Sequence, residues 1–269
     1  MRFHRLFALI PALFATPTVA STGDLLVAPT RIVLDGARGT EVILNNIGDE
    51  PATYRISLEL KRMLPDGSLE DVAPDKVSEL ETKTVGMISY APRRIVLPPN
   101  QPQAVRIGIR APQGLADGEY RAHMLFRAIP PSKPATAPAA ETGGLSIALT
   151  PIYGVTIPII VRQGSLKATA AMSNPRLVQT EHGGALALTL SRSGTRSTYG
   201  RIRVLKPGQG KPLFEAAGVA IYPEVESRQV EIGLPPEVMA ALAGPATIQY
   251  VEDPENGGRV MAEVQTVLR

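Results

Sequence analysis

The stretch LSIALTPIYGVTIPIIV, residues 145–161, constrains the fold more than any other part of the chain. Every odd-numbered position in it is apolar, and a period of two is typical of a β-strand. Pro151, Gly154 and Pro158 exclude a helix, because proline inside a helix costs about 3 kcal/mol. The stretch is also short for a membrane span and includes Ser146, Thr150 and Thr156 among its apolar residues. It therefore predicts an unusually long β-strand, and periodicity alone is equally consistent with an odd-numbered face that is simply core.

Short alternating runs separated by glycine, proline and asparagine occur on both sides of this stretch, which predicts an all-β protein. The segment QGS after Arg162 resembles a hinge, so we expect an N-terminal sandwich over residues 21–162 and a second one over 165–269. Two short helical segments are predicted as exceptions to this all-β pattern. The polar insert LPDGSLEDVAPDKVSELETKT is expected to contain one helical turn, and PPEVMAALAG a brief helix.

The chain opens with MRFHRLFALIPALFATPTVAS, a basic start followed by an apolar run and small residues. This order predicts a secretory signal peptide over residues 1–20, with cleavage after Ala20. Its removal takes Arg2 and Arg5 from the 28 basic residues and leaves them nearly balanced against 25 acidic ones. Without a basic tract or tryptophan, a nucleic-acid partner has little support.

The composition also argues against catalysis. The chain has no cysteine, which excludes disulfides, thiolate nucleophiles and cysteine metal motifs. Beyond the predicted signal the chain has only two histidines, His123 and His182, and we interpret them as a strand residue and a turn residue. No nucleophile elbow, phosphate-binding loop or dinucleotide fingerprint is present, so we expect no enzyme activity, cofactor, metal or small-molecule substrate.

Several motifs, taken in order, resemble the periplasmic chaperones of chaperone/usher pilus assembly, the PapD-like family. They are PTRIVLDG, a following strand with NN, RRIVLPPNQPQAVRI, GEYRAHMLFRAIPP, LSIAL with a run ending IIVR, and IQYVEDPENGGRV as the last hairpin. No single motif is diagnostic, but their order covers nearly the whole chain after the signal. The resemblance implies two immunoglobulin-like sandwiches set in a boomerang, located in the periplasm.

The resemblance also implies a function: binding and folding pilus or fimbrial subunits by donor-strand complementation, and delivering them to an outer-membrane usher. An edge strand with a period of two suits this role, since backbone hydrogen bonds hold the subunit while alternate side chains fill its groove. Leu145, Ile147 and Leu149 are then the expected donor residues, following the proline- and alanine-rich segment PPSKPATAPAAETGG. Val155, Ile157 and Ile159 would belong to the continuing strand within the domain, and Tyr153 is assigned to neither group.

By the same resemblance, Arg31 matches the cleft arginine that anchors the subunit's C-terminal carboxylate, a task that suits its planar fork. The family places a lysine on the long strand beside it, but this chain has Pro158 at the position we align with that lysine. Arg162 and Lys167 are the nearest cations that could replace it. An ion-paired surface arginine is the alternative interpretation of Arg31.

Two other classes remain as alternatives: a structural pilin or adhesin subunit, and a secreted carbohydrate-binding or hydrolytic module. A pilin would normally be one incomplete domain with an N-terminal donor extension, and a carbohydrate module would be expected to present aromatic platforms. The chain has no tryptophan, seven tyrosines and five phenylalanines. We also expect that the unloaded chaperone could associate with itself through its edge strand.

Overall fold

The computed structural model describes residues 24–35, 39–130 and 151–269. These residues form strands, two α-helices and two short 3-10 turns, arranged as two β-sandwiches, so the predicted all-β fold is confirmed. The boomerang arrangement and the boundaries at 20, 162 and 165 stay predictions, and the predicted signal peptide lies outside the described residues.

Eleven strands and one helix precede Gly164. They are β1 (Leu25–Ala28), β2 (Ile32–Asp35), β3 (Thr40–Asn46), β4 (Ala52–Glu59), β5 (Lys61–Met63), β6 (Leu69–Asp71), α1 (Glu79–Met87), β7 (Ile88–Ala91), β8 (Arg94–Leu97), β9 (Gln103–Ile109), β10 (Gly118–Ile129) and β11 (Gly154–Gln163). A sheet of order β1-β3-β9-β7 faces a second sheet of order β2-β11-β10-β4-β8, and β5 with β6 forms a separate hairpin.

The second sandwich contains seven strands and one helix. They are β12 (Ala168–Thr180), β13 (Gly183–Gly194), β14 (Thr198–Leu205), β15 (Phe214–Ile221), β16 (Ser227–Gly233), α2 (Pro236–Leu242), β17 (Gly244–Glu252) and β18 (Val260–Leu268). Its sheets have the orders β12-β13-β16 and β15-β14-β17-β18. The segment that resembles the family's last hairpin joins β17 to β18, which pair antiparallel.

Two alternating runs of the sequence are each divided between the two sheets of the first sandwich. LLVAPTRIVL becomes β1 and β2, separated at Pro29, and SYAPRRIVLPP becomes β7 and β8, separated at Pro92. Proline lacks the backbone N–H that a ladder needs, so each run leaves its first sheet where donation stops. Both prolines follow cis peptide bonds.

The long strand begins later than the alternation predicted. β11 starts at Gly154, and residues 151–153 precede it without belonging to the strand. Residues 145–150 lie outside the described part of the chain. As expected, Val155, Ile157 and Ile159 belong to the continuing strand, and they pack in the core of the first sandwich together with Val161. Tyr153, which was unassigned, is exposed.

The polar insert forms a full helix where only one turn was expected. α1 spans nine residues and follows the hairpin β5–β6 and a 3-10 turn. A capping box begins it: Ser78 Oγ accepts from the Glu81 N–H, and the Glu81 carboxylate accepts from the Ser78 N–H at 2.8 Å. These reciprocal bonds satisfy backbone donors that a helix start otherwise leaves open. The brief helix predicted near Pro236 is confirmed as α2.

Candidate functional site

One edge of β11 is unpaired over its first half. β2 runs parallel to β11, but the ladder between them starts only at Ile32 opposite Ile159. On the other side β10 pairs antiparallel with β11 from Gly154 onward. Residues 154–158 therefore have β10 on one side and no strand of the described residues on the other. An edge of this kind offers backbone groups to an added strand.

The direction of the backbone groups along this edge follows from the β10 ladder. The Ala128 N–H donates to the Tyr153 carbonyl at 2.9 Å, which makes that pair hydrogen-bonded. Because such pairs alternate along an antiparallel ladder, the odd-numbered residues of β11 bond to β10 and the even-numbered ones point to the open edge. Gly154 and Thr156 can thus both donate and accept there, whereas Pro158 can only accept.

Pro158 stands where the open edge ends. It is opposite His123 of β10. Because hydrogen-bonded and non-hydrogen-bonded pairs alternate along this ladder, Pro158 and His123 exchange no backbone hydrogen bonds. The missing N–H of Pro158 therefore costs no bond to β10, which explains why a proline is tolerated at this position of β11. Extending the parallel register of β2 by one residue places Arg31 beside Pro158.

Arg31 lies in a cleft between the two sandwiches, and the side chains that its guanidinium contacts are uncharged. Its guanidinium stacks over the Tyr199 ring at 4.4 Å, and it donates to Ser197 Oγ at 3.3 Å and to the Tyr222 hydroxyl at 3.5 Å. Its Nε is buried without a partner, and no carboxylate of the described residues pairs with it. The cleft therefore holds an arginine whose charge is not compensated directly.

An apolar cluster packs beside this arginine and joins the two sandwiches. Its buried members are Met63, Ile160, Ala220 and Tyr222. Ile160 comes from the even-numbered face of β11 and Tyr222 follows β15, so the two sandwiches share these residues. Burial raises the pKa of the Tyr222 hydroxyl, although the nearby guanidinium of Arg31 acts in the opposite direction. Tyr222 is thus a neutral wall of the cleft.

A buried carboxylate supports the cleft from behind. The side chain of Glu119 is fully buried, and its Oε2 accepts from the Ser197 hydroxyl at 2.9 Å, the Ser197 N–H at 3.1 Å and Arg162 Nε at 3.0 Å. The Ser197 hydroxyl has one proton, which it donates to Glu119, so it accepts from Arg31. Arg31, Ser197, Glu119 and Arg162 therefore form one continuous network across the cleft.

Arg121 is a second cleft cation that the sequence interpretation missed. Its guanidinium lies 3.6 Å from the centre of the Tyr222 ring, on the residue that Arg31 also contacts. It forms a two-pronged ion pair with Glu224 and donates to the Lys61 carbonyl at 2.8 Å. Only 7% of its side chain is exposed. Arg121 therefore belongs to the wall of the cleft and leaves Arg31 as the cation available to a ligand.

The hairpin of the polar insert contributes a further link between the sandwiches. The Met63 N–H donates to Glu224 Oε1 at 2.8 Å, and the Gln229 N–H of β16 donates to the Pro65 carbonyl at 2.8 Å. These bonds hold β5 and its turn against the second sandwich. The cleft thus has three guanidiniums, of Arg31, Arg121 and Arg162, against the two carboxylates of Glu119 and Glu224, and its surplus positive charge suits an anion.

The two cations that were expected to replace the family's lysine have different positions. Arg162 is part of the network, but its Nε binds Glu119 and its Nη1 donates to Asn256 Oδ1 at 2.7 Å. Lys167 is exposed, and its hydrogen bonds come from its backbone: the N–H donates to Thr195 Oγ1 at 3.1 Å and the carbonyl accepts from the Thr195 N–H at 2.8 Å. The structure therefore brings Arg162 to Arg31 through Glu119 and does not bring Lys167 into the network. The expected donor residues Leu145, Ile147 and Leu149 lie outside the described residues.

Sequence reasoning also missed Ser197, Tyr199 and Tyr222, because they come from the second sandwich. Arg121 carried one usable signal: in GEYRAHM its position has the opposite parity from the core residues Tyr120 and Ala122, so it had to point outward. No sequence pattern could have shown that this outward side faces a cleft.

The two histidines do not form a catalytic arrangement. His123 is buried with neither ring nitrogen bonded within the described residues, and burial is the main reason that its pKa falls to about 3. His182 is exposed in a turn. The described ranges contain no cluster of three or more histidine, aspartate or glutamate side chains that could hold a metal. Nor do they contain a helix long and apolar enough to cross a membrane.

No protein-family model matches the chain, and no curated protein sequence matches it. Solved structures of similar shape include the E. coli chaperone DraB, 17% identical over 93% of this chain and 99% of that one, with a TM-score of 0.47. The YadV chaperone is 13% identical over 90% of this chain and 100% of that one, with a TM-score of 0.48. The third is the CsuC–CsuE chaperone–tip adhesion subunit pre-assembly complex from archaic chaperone-usher Csu pili of Acinetobacter baumannii. It is 13% identical over 91% of this chain and 99% of that one, with a TM-score of 0.47.

Proposed function

We propose that this protein is a periplasmic chaperone that captures pilus or fimbrial subunits by adding a strand to them and then delivers them to an outer-membrane usher. The observation that carries the proposal is the open edge of β11, which ends beside Arg31, an arginine that pairs with no carboxylate in the part of the chain that the structure describes. Two sandwiches sharing a cleft also agree better with a chaperone than with a one-domain pilin.

The geometry favours one orientation of the captured strand. A strand added to residues 154–158 in parallel with β11 would lie in line with β2, which continues that edge from Ile32 onward. The chain end of such a strand would then point at Arg31. A C-terminal carboxylate there would meet a guanidinium whose described partners are a serine, a tyrosine hydroxyl and an aromatic ring. Arginine binds a carboxylate with two parallel bonds, so the pairing is chemically matched.

The donor residues extend this proposal upstream. In LSIAL the apolar residues Leu145, Ile147 and Leu149 continue the odd-numbered alternation of β11. Such side chains would fill the groove that a subunit lacking one strand exposes. In this scheme no residue acts as a catalyst, and neither a cofactor nor a metal takes part. The signal peptide over residues 1–20 would bring the chain to the periplasm, where its subunit partners and the usher would be found.

The open edge can be tested directly by Thr156→Pro. The N–H of Thr156 points away from β10, so proline there should leave the fold intact, as Pro158 already does two residues later. It would remove one of two donors offered to the added strand. We expect capture of subunits co-expressed in the periplasm to be strongly reduced, while Thr156→Ala, which keeps the N–H, captures them normally. Equal capture by both variants, with unchanged circular dichroism, would exclude strand addition at this edge.

The anchor is tested by a double-mutant cycle on Arg31 and the subunit's terminal carboxylate. Removing one side of a buried charged contact costs about 2 to 5 kcal/mol, so Arg31→Ala should weaken binding about 30-fold or more. Amidating the subunit's C-terminus should weaken binding to the unsubstituted chaperone but add little in Arg31→Ala. Arg31→Lys, which keeps the charge and loses the fork, should be a partial rescue. Fully additive losses in calorimetry would show that Arg31 does not hold the carboxylate.

The donor residues require a separate experiment. Ile147→Asp and Leu149→Asp would each place a charge in the subunit's apolar groove. Burying a polar group without a hydrogen-bond partner costs about 2 kcal/mol or more, and an unpaired charge costs more than that. We expect both variants to fold and to lose their partner in co-purification. Co-purification at the unsubstituted yield would reject the donor assignment and leave the open edge of β11 as the contact.

A further inference from the structure

Three arginines lie side by side on the outer face of the first sandwich. Arg127 of β10 is directly opposite Arg55 of β4, and Arg55 is directly opposite Arg94 of β8. All three are exposed, whereas the residues next to them on each strand are buried in the core. We call Arg127, Arg55 and Arg94 the arginine row. Neighbouring strands are about 4.8 Å apart, so the row spans about 10 Å.

No carboxylate of the described residues pairs with the arginine row. None of its side chains takes part in an ion pair or side-chain hydrogen bond there, unlike the strand arginines Arg201 and Arg203, which bind Glu215. The adjacent cross-strand rows are uncharged: Ile129, Thr53 and Val96 on one side, and Leu125 and Ser57 on the other. The positive charge is therefore concentrated in one stripe with neutral margins.

This arrangement differs from the other ladders of the protein. Like charges directly opposite each other destabilise a sheet, and opposite charges stabilise it. Wherever else two fully charged side chains are directly paired in the described ladders, their signs are opposite, as in Glu41 with Arg106, Glu119 with Arg162, and Arg203 with Glu215. The arginine row contains two like-charged pairs in succession. An anionic ligand would remove this repulsion.

We infer that the arginine row is a docking surface for an acidic segment of a partner protein, separate from the open edge of β11 and from the Arg31 cleft. Guanidinium forks bind carboxylates with two parallel bonds, and arginine is enriched at protein interfaces. Exposed Val96 beside the row adds apolar contact area. Exposed Arg93, next to Arg94, is engaged with the ring and the hydroxyl of Tyr90. The three unengaged guanidiniums are fewer than the four to eight cations that typically hold a protein at an anionic membrane, so a protein partner fits the charge count better.

The carboxylates of such a partner need a particular spacing. Residues two apart on an extended strand place their side chains on one face about 7 Å apart, within reach of flexible arginines on neighbouring strands. A segment with two or three acidic residues in alternation would therefore cover the whole row. The row uses none of the cleft residues. Arg127 is directly opposite Gly154, so the row begins two strand spacings, about 10 Å, from a strand captured at the open edge.

The test uses a short peptide of alternating glutamate and serine with an amidated C-terminus, which prevents binding as a carboxylate at Arg31. We expect it to bind the full chain at low salt, to be released at high salt, and to bind more tightly than the matched glutamine–serine peptide. Exposed charge pairs each contribute little, so the triple variant Arg55→Gln, Arg94→Gln, Arg127→Gln should lose about tenfold in affinity.

The control is Arg106→Gln, which removes an equally exposed strand arginine that has Glu41 opposite it. Its affinity for the glutamate peptide should change by less than about twofold. Circular dichroism checks that the triple variant is folded. Equal binding of the two peptides, unchanged binding by the folded triple variant, or no binding at low salt would overturn the inference. So would tighter binding to vesicles of phosphatidylcholine and phosphatidylglycerol in equal amounts than to the glutamate peptide.

Discussion

His123 should make the stability of this protein fall in mild acid. The imidazole is only 1% exposed, and neither ring nitrogen has a partner within the described residues. Burial, reinforced by the positive charges of Arg121 and Lys61, lowers its pKa from 6.5 to about 3, although Asp71 acts in the opposite direction. Glu59 is opposite His123 in the sheet but forms an ion pair with Lys61 at 3.7 Å. The folded protein therefore keeps His123 neutral.

The sign of the effect follows from proton linkage. The unfolded chain binds a proton at His123 near its ordinary pKa of 6.5, and the folded chain only near a pKa of about 3. Stability is therefore undiminished above pH 6.5 and decreases as the pH falls toward 3. Each pKa unit corresponds to about 1.4 kcal/mol, so at about pH 4.5, two units below the unfolded pKa, His123 should cost about 2.7 kcal/mol.

The assay is urea unfolding of the unsubstituted protein and His123→Leu at about pH 7.5 and about pH 4.5. Leucine has a similar volume and cannot bind the proton, so the variant should lose about 2.7 kcal/mol less stability between the two pH values. His182→Leu is the matched control, because His182 is exposed in a turn and should leave the pH dependence unchanged. If His123→Leu loses as much stability in acid as the unsubstituted protein, the imidazole is not kept neutral by burial.

Three further predictions concern stability and activity. Glu119→Gln removes the buried carboxylate that Arg162 and Ser197 share, and should lower the free energy of unfolding in urea by about 3 to 5 kcal/mol. Ser78→Ala removes the N-cap of α1 and should cost about 1 kcal/mol in the same assay, whereas Ser78→Asp should restore most of it. Purified protein lacking residues 1–20, the predicted signal, should show no turnover on ester, peptide or glycoside panels, with or without divalent metal, and a reproducible activity abolished by His123→Ala would contradict the proposed function.

Local pattern was sufficient for the class of fold and for the direction of most side chains. The period of two separates core from outward positions on β10 and β11 without any tertiary information, because successive Cβ atoms of a strand point to opposite faces. Ile157 and Ile159, on the apolar odd-numbered face, lie in that core. Ser78 and Glu81 also formed a readable capping box, which would have predicted a longer α1 than the single turn we expected.

The alternation of apolar and polar residues could not predict which outward-facing residues contact each other. Arg31 contacts Ser197 and Tyr222, and Arg121 pairs with Glu224, across separations of more than a hundred residues. Such contacts depend on how two sandwiches pack, and alternation carries no information about that. The donor assignment rests on the resemblance and on residues outside the described part of the chain, so it stays a prediction.

Strand register explains why the arginine row and the open edge could not be predicted from the sequence. Each arginine of the arginine row is recognisable in the sequence as an outward strand residue, yet a shift of one position in either ladder would separate it from its neighbour. The open edge of β11 has the same origin, since it exists only because β2 joins the ladder at Ile159 and not earlier. The sequence by itself determined the alternation, the strand-breaking prolines and the charges on the outward faces. Tertiary structure decided the cleft, the open edge and the row of charges, because each is a relation between strands that are distant in the chain.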